Sequence, residues 1–163
     1  MLVSSPIGPV TVVARDGAVV AVWMNAGPGA DVGVPDDGAS DVLAVAAGQL
    51  AAYFAGERHD FDFPMEPEGS DFQRRVWAAL REIPYGQTES YGELAARIGL
   101  DPRTSSRAVG AANGRNPLGI VVPCHRVIGA DGSLTGYAGG LPAKRFLLEH
   151  ESAHAPAAAD RLF

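Results

Sequence analysis

The sequence is poor in cysteine and in long apolar runs. Its single cysteine, Cys124, excludes an internal disulfide and the zinc sites that need several thiolates. The four histidines show no metal-ligand spacing, so we expect neither a metal nor a cofactor. No run approaches the roughly 18 apolar residues of a membrane-spanning helix. The first residues also lack the basic and long apolar segments of a signal peptide, so the expectation is a cytoplasmic protein with no membrane partner.

Basic side chains are scarce in the first part of the chain and concentrated later, although the net charge is only −6. Residues 1–70 carry ten acidic and two basic side chains, a net charge of −8. Residues 103–145 carry six basic side chains and one acidic side chain, a net charge of +5. This asymmetry indicates a segment that can face a polyanion, although six solvated bases are also compatible with an ordinary surface.

The chain begins with the pattern of a β-hairpin. Two runs rich in β-branched residues, 9–14 and 18–24, flank Asp16-Gly17, a dipeptide typical of a tight hairpin turn. The Gly-, Pro- and Asp-rich stretch 26–40 that follows predicts a surface loop.

Apolar residues at helical spacing come next. They predict a helix that begins at Ser40 or Asp41 and stops at Gly56. Phe61-Asp62-Phe63 predicts one more short strand before a linker. We interpret this half as a small α/β scaffold.

The second half has the pattern of several helices. Ser70-Asp71 is positioned to cap a helix that ends before Pro84. Ser90-Tyr91-Gly92-Glu93 has the capping-box pattern and predicts a helix as far as Ile98. A brief turn leads to a further short helix at about 103–113, so these two elements form a predicted helix-turn-helix.

The second helix of this pair consists mostly of small residues around one long side chain, Arg107. Small residues can simply let helices pack closely. They can also let the helix approach a nucleic-acid backbone or a narrow groove closely and insert one arginine. The second interpretation predicts binding with little sequence preference, dominated by phosphate contacts.

Residues 116–129 surround the lone thiol. Ile120-Val121-Val122 predicts a short buried strand, which Pro123 ends because proline has no N–H to donate. Cys124 then precedes His125, and a neighbouring base would make the thiol, with an ordinary pKa of about 8.5, more reactive. A lone cysteine is as often a small buried apolar residue.

A family resemblance decides between these interpretations. Pro123-Cys124-His125-Arg126-Val127 matches the active-site signature of the O6-alkylguanine-DNA alkyltransferases, or methylated-DNA–protein-cysteine methyltransferases. The resemblance covers about half the chain, in order. Its other segments are Phe72–Trp77, Ile83–Gly86, Ser90–Ala95, Arg107–Gly110, Asn116-Pro117, Thr135–Gly140 and Leu147–Glu151.

The resemblance implies a fold, a division and an activity. The implied fold class is α/β, with a small ribonuclease H-like N-terminal α/β domain. A mainly helical C-terminal domain would contain a helix-turn-helix and a short active-site strand. We place the division at 1–68 and 69–163. The implied activity is direct DNA repair, in which the O6-alkyl group of guanine, or the O4-alkyl group of thymine, moves irreversibly to Cys124 of a single-turnover methyltransferase.

The same resemblance assigns catalytic roles. His125 would contact Cys124 through a water, and Glu151 would hold the far imidazole nitrogen. Asn116 would brace the turn before the active-site strand. Tyr91 would serve guanine N3 and supply a proton as the base leaves.

The expected partner is double-stranded DNA, bound by a monomer, with cooperative binding left open. Arg107 would fill the space left by a flipped base while its helix lies in the minor groove. The implied DNA contacts are Arg107, Thr104, Ser105, Ser106, Ala108, Gly110, Ala111 and Arg126. The implied base pocket is formed by Tyr91, Val127, Tyr137, Ala138 and Gly139.

Two positions depart from the family pattern, because Ser105-Ser106 stand where alanines are common and Gly119 stands where proline is common. Three other functions compete with this one. A binding-only relative would lack the cysteine, and a sequence-reading regulator would need longer polar side chains. A cysteine hydrolase would need a water route to an acyl-enzyme and an oxyanion hole.

Overall fold

A computed structural model describes residues 1–24, 39–137 and 139–155. The predicted loop 26–40 therefore lies outside the described residues except at its end, as do Ala138 and residues 156–163. The element order is three strands and a helix, then four helices with two short strands among them.

The N-terminal sheet is antiparallel and has the order β1-β2-β3. Its strands are β1 (Leu2–Val3), β2 (Val10–Arg15) and β3 (Ala18–Met24). Asp16 and Gly17 have φ values of 52° and 79°, which is the left-handed pair that a tight hairpin turn requires. The predicted hairpin is confirmed, and the short first strand was missed.

Helix α1 (Ala39–Phe54) packs on this sheet through fully buried Leu43, Ala46 and Leu50. It begins before both of the predicted cap residues. The predicted strand at Phe61–Phe63 is wrong: both aromatic rings are buried, but these residues have no strand pairing. An isolated parallel bridge forms two residues later, between Met65 and Val19.

The C-terminal helices begin at residues that the sequence identifies. Helix α2 (Asp71–Leu80) starts after Ser70, and helix α3 (Tyr91–Arg97) starts after Ser90, each with a complete capping box. Asp101 caps helix α4 (Pro102–Gly114), which packs against α3 as the second helix of the predicted helix-turn-helix.

Short strands β4 (Glu89–Ser90) and β5 (Val127–Ile128) pair in parallel. Helix α5 (Leu141–His154) is the last element of the described part of the chain. These elements confirm the predicted fold class.

The predicted strand at Ile120–Val122 is also wrong. These buried residues form turns, and Ile120 has a φ of 69°, a left-handed conformation that a β-branched residue rarely adopts. Asn116 holds the turn: its Nδ2 donates to the carbonyls of Val122 (2.8 Å) and Leu118 (3.3 Å), and its Oδ1 accepts from the Leu118 N–H (2.9 Å). Side-chain bonding of the turn therefore replaces ladder pairing.

The edge of β3 joins the two halves. The Val22 N–H donates to the Pro117 carbonyl (2.8 Å), and the Gly119 N–H donates to the Val22 carbonyl (3.1 Å). The turn that leads to the cysteine is thus fixed against the N-terminal sheet. A proline at position 119 could not make the second of these bonds, because it has no N–H to donate.

Candidate active site

Cys124 opens a 3-10 turn, Cys124–Arg126, directly before β5. It is only 5% exposed, and the carbonyl of Cys124 accepts a hydrogen bond from Asn113 Nδ2 at 3.4 Å. Asn113 was not among the predicted site residues. The position of the nucleophile is therefore set by turns on both sides, braced by two asparagines.

Burial dominates the electrostatics of the thiol. It raises the pKa of Cys124, while hydrogen bonding from Asn116, the positive charge of Lys144 and hydrogen bonding from Tyr137 act in the opposite direction. The thiol is therefore protonated at neutral pH and needs a base to become a nucleophile.

His125 and Glu151 form a buried pair. The distance from His125 Nε2 to Glu151 Oε2 is 2.7 Å, and both side chains are at most 1% exposed. An ionised carboxylate can only accept hydrogen bonds, so Nε2 carries the proton. His125 Nδ1 is then an acceptor, buried and without a hydrogen-bond partner among the described residues.

The charge states of this pair follow from its surroundings. Burial lowers the pKa of His125 and outweighs the opposite effect of Glu151, so the imidazole is neutral at rest. Burial alone would raise the pKa of Glu151, but His125 and Arg126 outweigh it and hold that pKa well below its ordinary value. The site thus contains a neutral imidazole oriented by an ionised carboxylate.

The structure corrects the assignment of Arg126 as a DNA contact. This residue is only 6% exposed, and its Nε and Nη2 donate to the two oxygens of Glu151 at 2.7 and 3.0 Å. Its Nη1 donates to the Ile83 carbonyl at 2.7 Å. Arg126 therefore neutralises a buried carboxylate and cannot reach a phosphate from this position.

Two further residues of the site were missed by the sequence reasoning. Tyr53, at the end of α1, donates its hydroxyl to Glu151 Oε2 at 2.7 Å. Lys144 is fully buried, and its Nζ donates to the carbonyls of Val127 (2.7 Å) and Thr135 (3.3 Å). The sequence offers one signal for Lys144, which is the only lysine in the chain. It offers none for Tyr53, which is 98 positions away from Glu151.

Tyr91 lies at a cavity of about 500 Å³ between α4 and the segment before α5. Its hydroxyl is 2.7 Å from Thr135 Oγ1. The cavity lining does not include Cys124 and consists of Tyr91, Ser106, Arg107, Gly110, Gly114, Thr135 and Gly136.

Tyr137 and Gly139 lie against Met24 at the end of β3. The Tyr137 hydroxyl is 3.7 Å from Met24 Sδ, and a Cβ on Gly139 would be only 2.7 Å from the same sulfur. The main chain of Val127, the other described member of the predicted base pocket, already donates to the Cys124 carbonyl and accepts from Lys144. Ala138 lies outside the described residues.

The outer face of α4 is exposed and lined by small residues. Thr104, Arg107, Ala108 and Ala111 are exposed, and Ser105, Ser106 and Gly110 are partly exposed. Val109, Ala112 and Asn113 are buried on the opposite face, where Trp77 Nε1 donates to the Ala112 carbonyl at 2.8 Å.

A second cavity, of about 550 Å³, lies near β4, but its Arg97 is already paired with Glu82 and Glu89.

Among the predicted catalytic residues, the structure thus pairs His125 with Glu151 and places Asn116 at the turn that leads to Cys124, with Tyr91 at a cavity beside α4. In the described ranges, no group of three or more His, Cys, Asp or Glu residues is arranged to hold a metal ion. No helix in these ranges is long and apolar enough to cross a membrane.

A buried thiol directly followed in sequence by a buried imidazole–carboxylate pair, in a protein with a helix-turn-helix and an exposed arginine, defines a DNA-binding protein with a cysteine nucleophile. Two family models match the chain: "6-O-methylguanine DNA methyltransferase, ribonuclease-like domain" over residues 1–67, and "6-O-methylguanine DNA methyltransferase, DNA binding domain" over residues 71–153. The chain belongs to the 6-O-methylguanine DNA methyltransferase family.

Individual relatives agree with this assignment. The methylated-DNA–protein-cysteine methyltransferase of Mycobacterium tuberculosis H37Rv is 50% identical over 158 residues, which cover 95% of this chain and 93% of the relative. That of Methanosarcina acetivorans is 51% identical over 149 residues, which cover 90% and 94%. A crystal structure of Mycobacterium tuberculosis OGT in complex with DNA has a TM-score of 0.83 and 49% identity, and the match covers 97% of this chain and 95% of that one.

The burial of Arg126 predicts the effect of removing it. Arg126→Met leaves the carboxylate of Glu151 without its permanent cation, so the free energy of unfolding should fall by about 3–5 kcal/mol. Arg103→Met, at an exposed position on α4, is the matched control and should change it by less than about 0.5 kcal/mol. Urea denaturation of both variants measures the difference. Unchanged stability with weakened DNA binding for Arg126→Met would restore the original assignment.

The lowered pKa values of His125 and Glu151 predict how stability depends on pH. Below about pH 6.5 for histidine, and about pH 4.3 for glutamate, the unfolded chain binds protons that the folded chain does not. The free energy of unfolding should therefore fall in two steps as the pH decreases. Urea denaturation between pH 8 and 3 measures the upper step in full and the beginning of the lower step.

His125→Asn should remove the upper of these two steps. His59→Asn, at an exposed position, is the control and should retain it. An upper step that persists unchanged in His125→Asn would contradict the prediction.

Proposed function

We propose that this protein repairs DNA by transferring the O6-alkyl group of guanine to Cys124, once per molecule. The observation that carries the proposal is the Nδ1 of a neutral, carboxylate-oriented His125, which has no hydrogen-bond partner among the described residues and directly follows the only cysteine in a chain of this family. O4-alkylthymine is a second candidate substrate. The partner is double-stranded DNA, bound by a monomer.

The proposed reaction begins with the thiol proton. It passes through a bridging water to His125 Nδ1, and Glu151 stabilises the resulting imidazolium. The lowered pKa of His125 opposes this transfer, so the charge of Lys144 and the hydrogen bonds from Asn116 and Tyr137, which favour the thiolate, are needed to offset it.

The thiolate then attacks the alkyl carbon, a carbon–sulfur bond forms and the carbon–oxygen bond to guanine breaks. The electron pair of that bond stays with the guanine ring, and Tyr91 supplies a proton at N3. At rest the Tyr91 hydroxyl bonds Thr135, so binding of the base has to exchange one partner for the other. The product is a thioether, which offers no carbonyl for water to attack, so each molecule is consumed.

DNA binding in this proposal uses the outer face of α4. Small side chains let the helix enter the minor groove, and Arg107, exposed at the edge of the cavity, fills the space that the flipped base leaves. The division at 1–68 and 69–163 is part of the proposal. In it, the N-terminal part supports the turn through the edge of β3, and the C-terminal part supplies the DNA surface and the nucleophile.

Intact-mass measurement after incubation with O6-benzylguanine tests the transfer. The native protein should gain one benzyl group, and Cys124→Ser should gain none because its hydroxyl is a far weaker nucleophile. With excess O6-methylguanine duplex, repaired guanine should stop increasing at one per protein molecule. Repair beyond one equivalent would contradict the single-turnover proposal, and no added mass would favour a hydrolase or a binding-only protein.

Comparing two substrates tests the role of Arg107. Arg107→Ala should slow transfer from duplex DNA by about 10- to 100-fold, because flipping costs a few kcal/mol that the inserted side chain helps to offset. Transfer from free O6-benzylguanine, which needs no flipping, should be unchanged. Arg145→Ala, at an exposed position on α5, is the control. An equal loss of rate on both substrates would contradict the insertion role.

A further inference from the structure

Tyr53 connects the N-terminal half to the reacting groups. It is the penultimate residue of α1 and is fully buried. Its hydroxyl donates to Glu151 Oε2 at 2.7 Å, the same oxygen that lies 2.7 Å from His125 Nε2. A residue outside the signature segments therefore shares the carboxylate oxygen that orients the imidazole.

The remaining bonds of this carboxylate fix its plane. Glu151 Oε2 also accepts from Arg126 Nη2 at 3.0 Å, and Oε1 accepts from Arg126 Nε at 2.7 Å and from the Gly86 N–H at 3.5 Å. Among these donors to Glu151, Tyr53 supplies the only hydroxyl, and it is uncharged. It can restrain Oε2 without adding a charge beside the imidazole.

The ring of Tyr53 is itself held in place. Ring centroids of Phe54, Phe61, Tyr85 and His150 lie between 5.2 and 6.2 Å from its own. The carbonyl of Tyr53 lies 2.8 Å from His150 Nε2. Because neither the ring nor its backbone can move freely, the hydroxyl is presented to Glu151 in one direction.

We propose that Tyr53 is a positioning residue for alkyl transfer: its hydroxyl fixes the carboxylate oxygen that orients His125, so that α1 completes the site. This inference rests on the proposed function, and it assigns the N-terminal half a direct part in the chemistry. Hydrogen-bond donation by the hydroxyl withdraws negative charge from Oε2 and so limits the basicity of His125.

Removing the Tyr53 hydroxyl should raise the pKa of His125. The groups facing Glu151 are His125, Arg126, Tyr53 and Tyr85, and those facing His125 are Glu151, Arg126 and Lys144. Without the Tyr53 donor, more negative charge remains on Oε2 and the imidazolium becomes more favourable. The pKa of His125 then rises, and the acid limb of the rate profile moves to higher pH.

Tyr85 provides a matched control. Its hydroxyl is buried near the same carboxylate but has no hydrogen-bond partner among the described residues. Its ring packs edge-on against Tyr53, with centroids 6.2 Å apart. Tyr53→Phe and Tyr85→Phe each remove one hydroxyl from the same aromatic cluster, but only the first removes a bond to Glu151.

The experiment is single-turnover methyl transfer from an O6-methylguanine duplex across a range of pH, with thermal unfolding of each variant. Tyr53→Phe should move the acid-limb midpoint up by about half to one pH unit. It should lower the plateau rate by about 10-fold, because the lost orientation of Glu151 and His125 outweighs the more basic imidazole. Tyr85→Phe should change neither. A native midpoint and rate in Tyr53→Phe, or equal shifts in both variants, would overturn the proposal.

Site-specific incorporation of 3-fluorotyrosine at position 53 gives a second variant that keeps the hydroxyl. Fluorine makes the hydroxyl a stronger donor, so the acid limb should move to lower pH. The same direction of shift as in Tyr53→Phe would also overturn the proposal. If the native protein itself transfers no methyl group, the proposed function fails. Normal transfer with unaltered variants rejects the role of Tyr53 alone.

Discussion

The rest of the structure depends on the bonds that compensate the buried carboxylate of Glu151. An isolated charge in this position would be strongly unfavourable. It is tolerated because Arg126 supplies a fixed opposite charge, and because Tyr53 and His125 bond to one of its oxygens. These donors come from α1 and from the turn that carries Cys124. One side chain on α5 therefore joins α1 and the Cys124 turn to the C-terminal helix.

Sequence reasoning succeeded where local chemistry decides the structure. The hairpin at Asp16-Gly17 and the helix starts at Ser70 and Ser90 depend on residues within a few positions of one another. It failed where a distant or unusual contact decides. Ile120 follows a strand-like apolar pattern, but Asn116 bonds the segment into a turn with a left-handed residue, so no ladder forms.

The same distinction between local and distant contacts applies to the residues of the site. The pairing of His125 with Glu151 was available only through the family resemblance. Tyr53 was missed because nothing near it in sequence indicates its partner. Arg126 was counted among the basic residues facing DNA, because a sequence gives charge but not burial. Lys144 illustrates the same limit, since its ammonium group lies inside the protein instead of on the positive surface.

The burial of that one lysine has a practical consequence. The chain contains no other ε-amine, and this one is bonded to two carbonyls beneath the predicted base pocket. Amine-reactive dyes and surface-coupling reagents should therefore leave this ε-amine unmodified while the protein is folded. The recognition surface on α4 carries no ε-amine and would also stay unmodified.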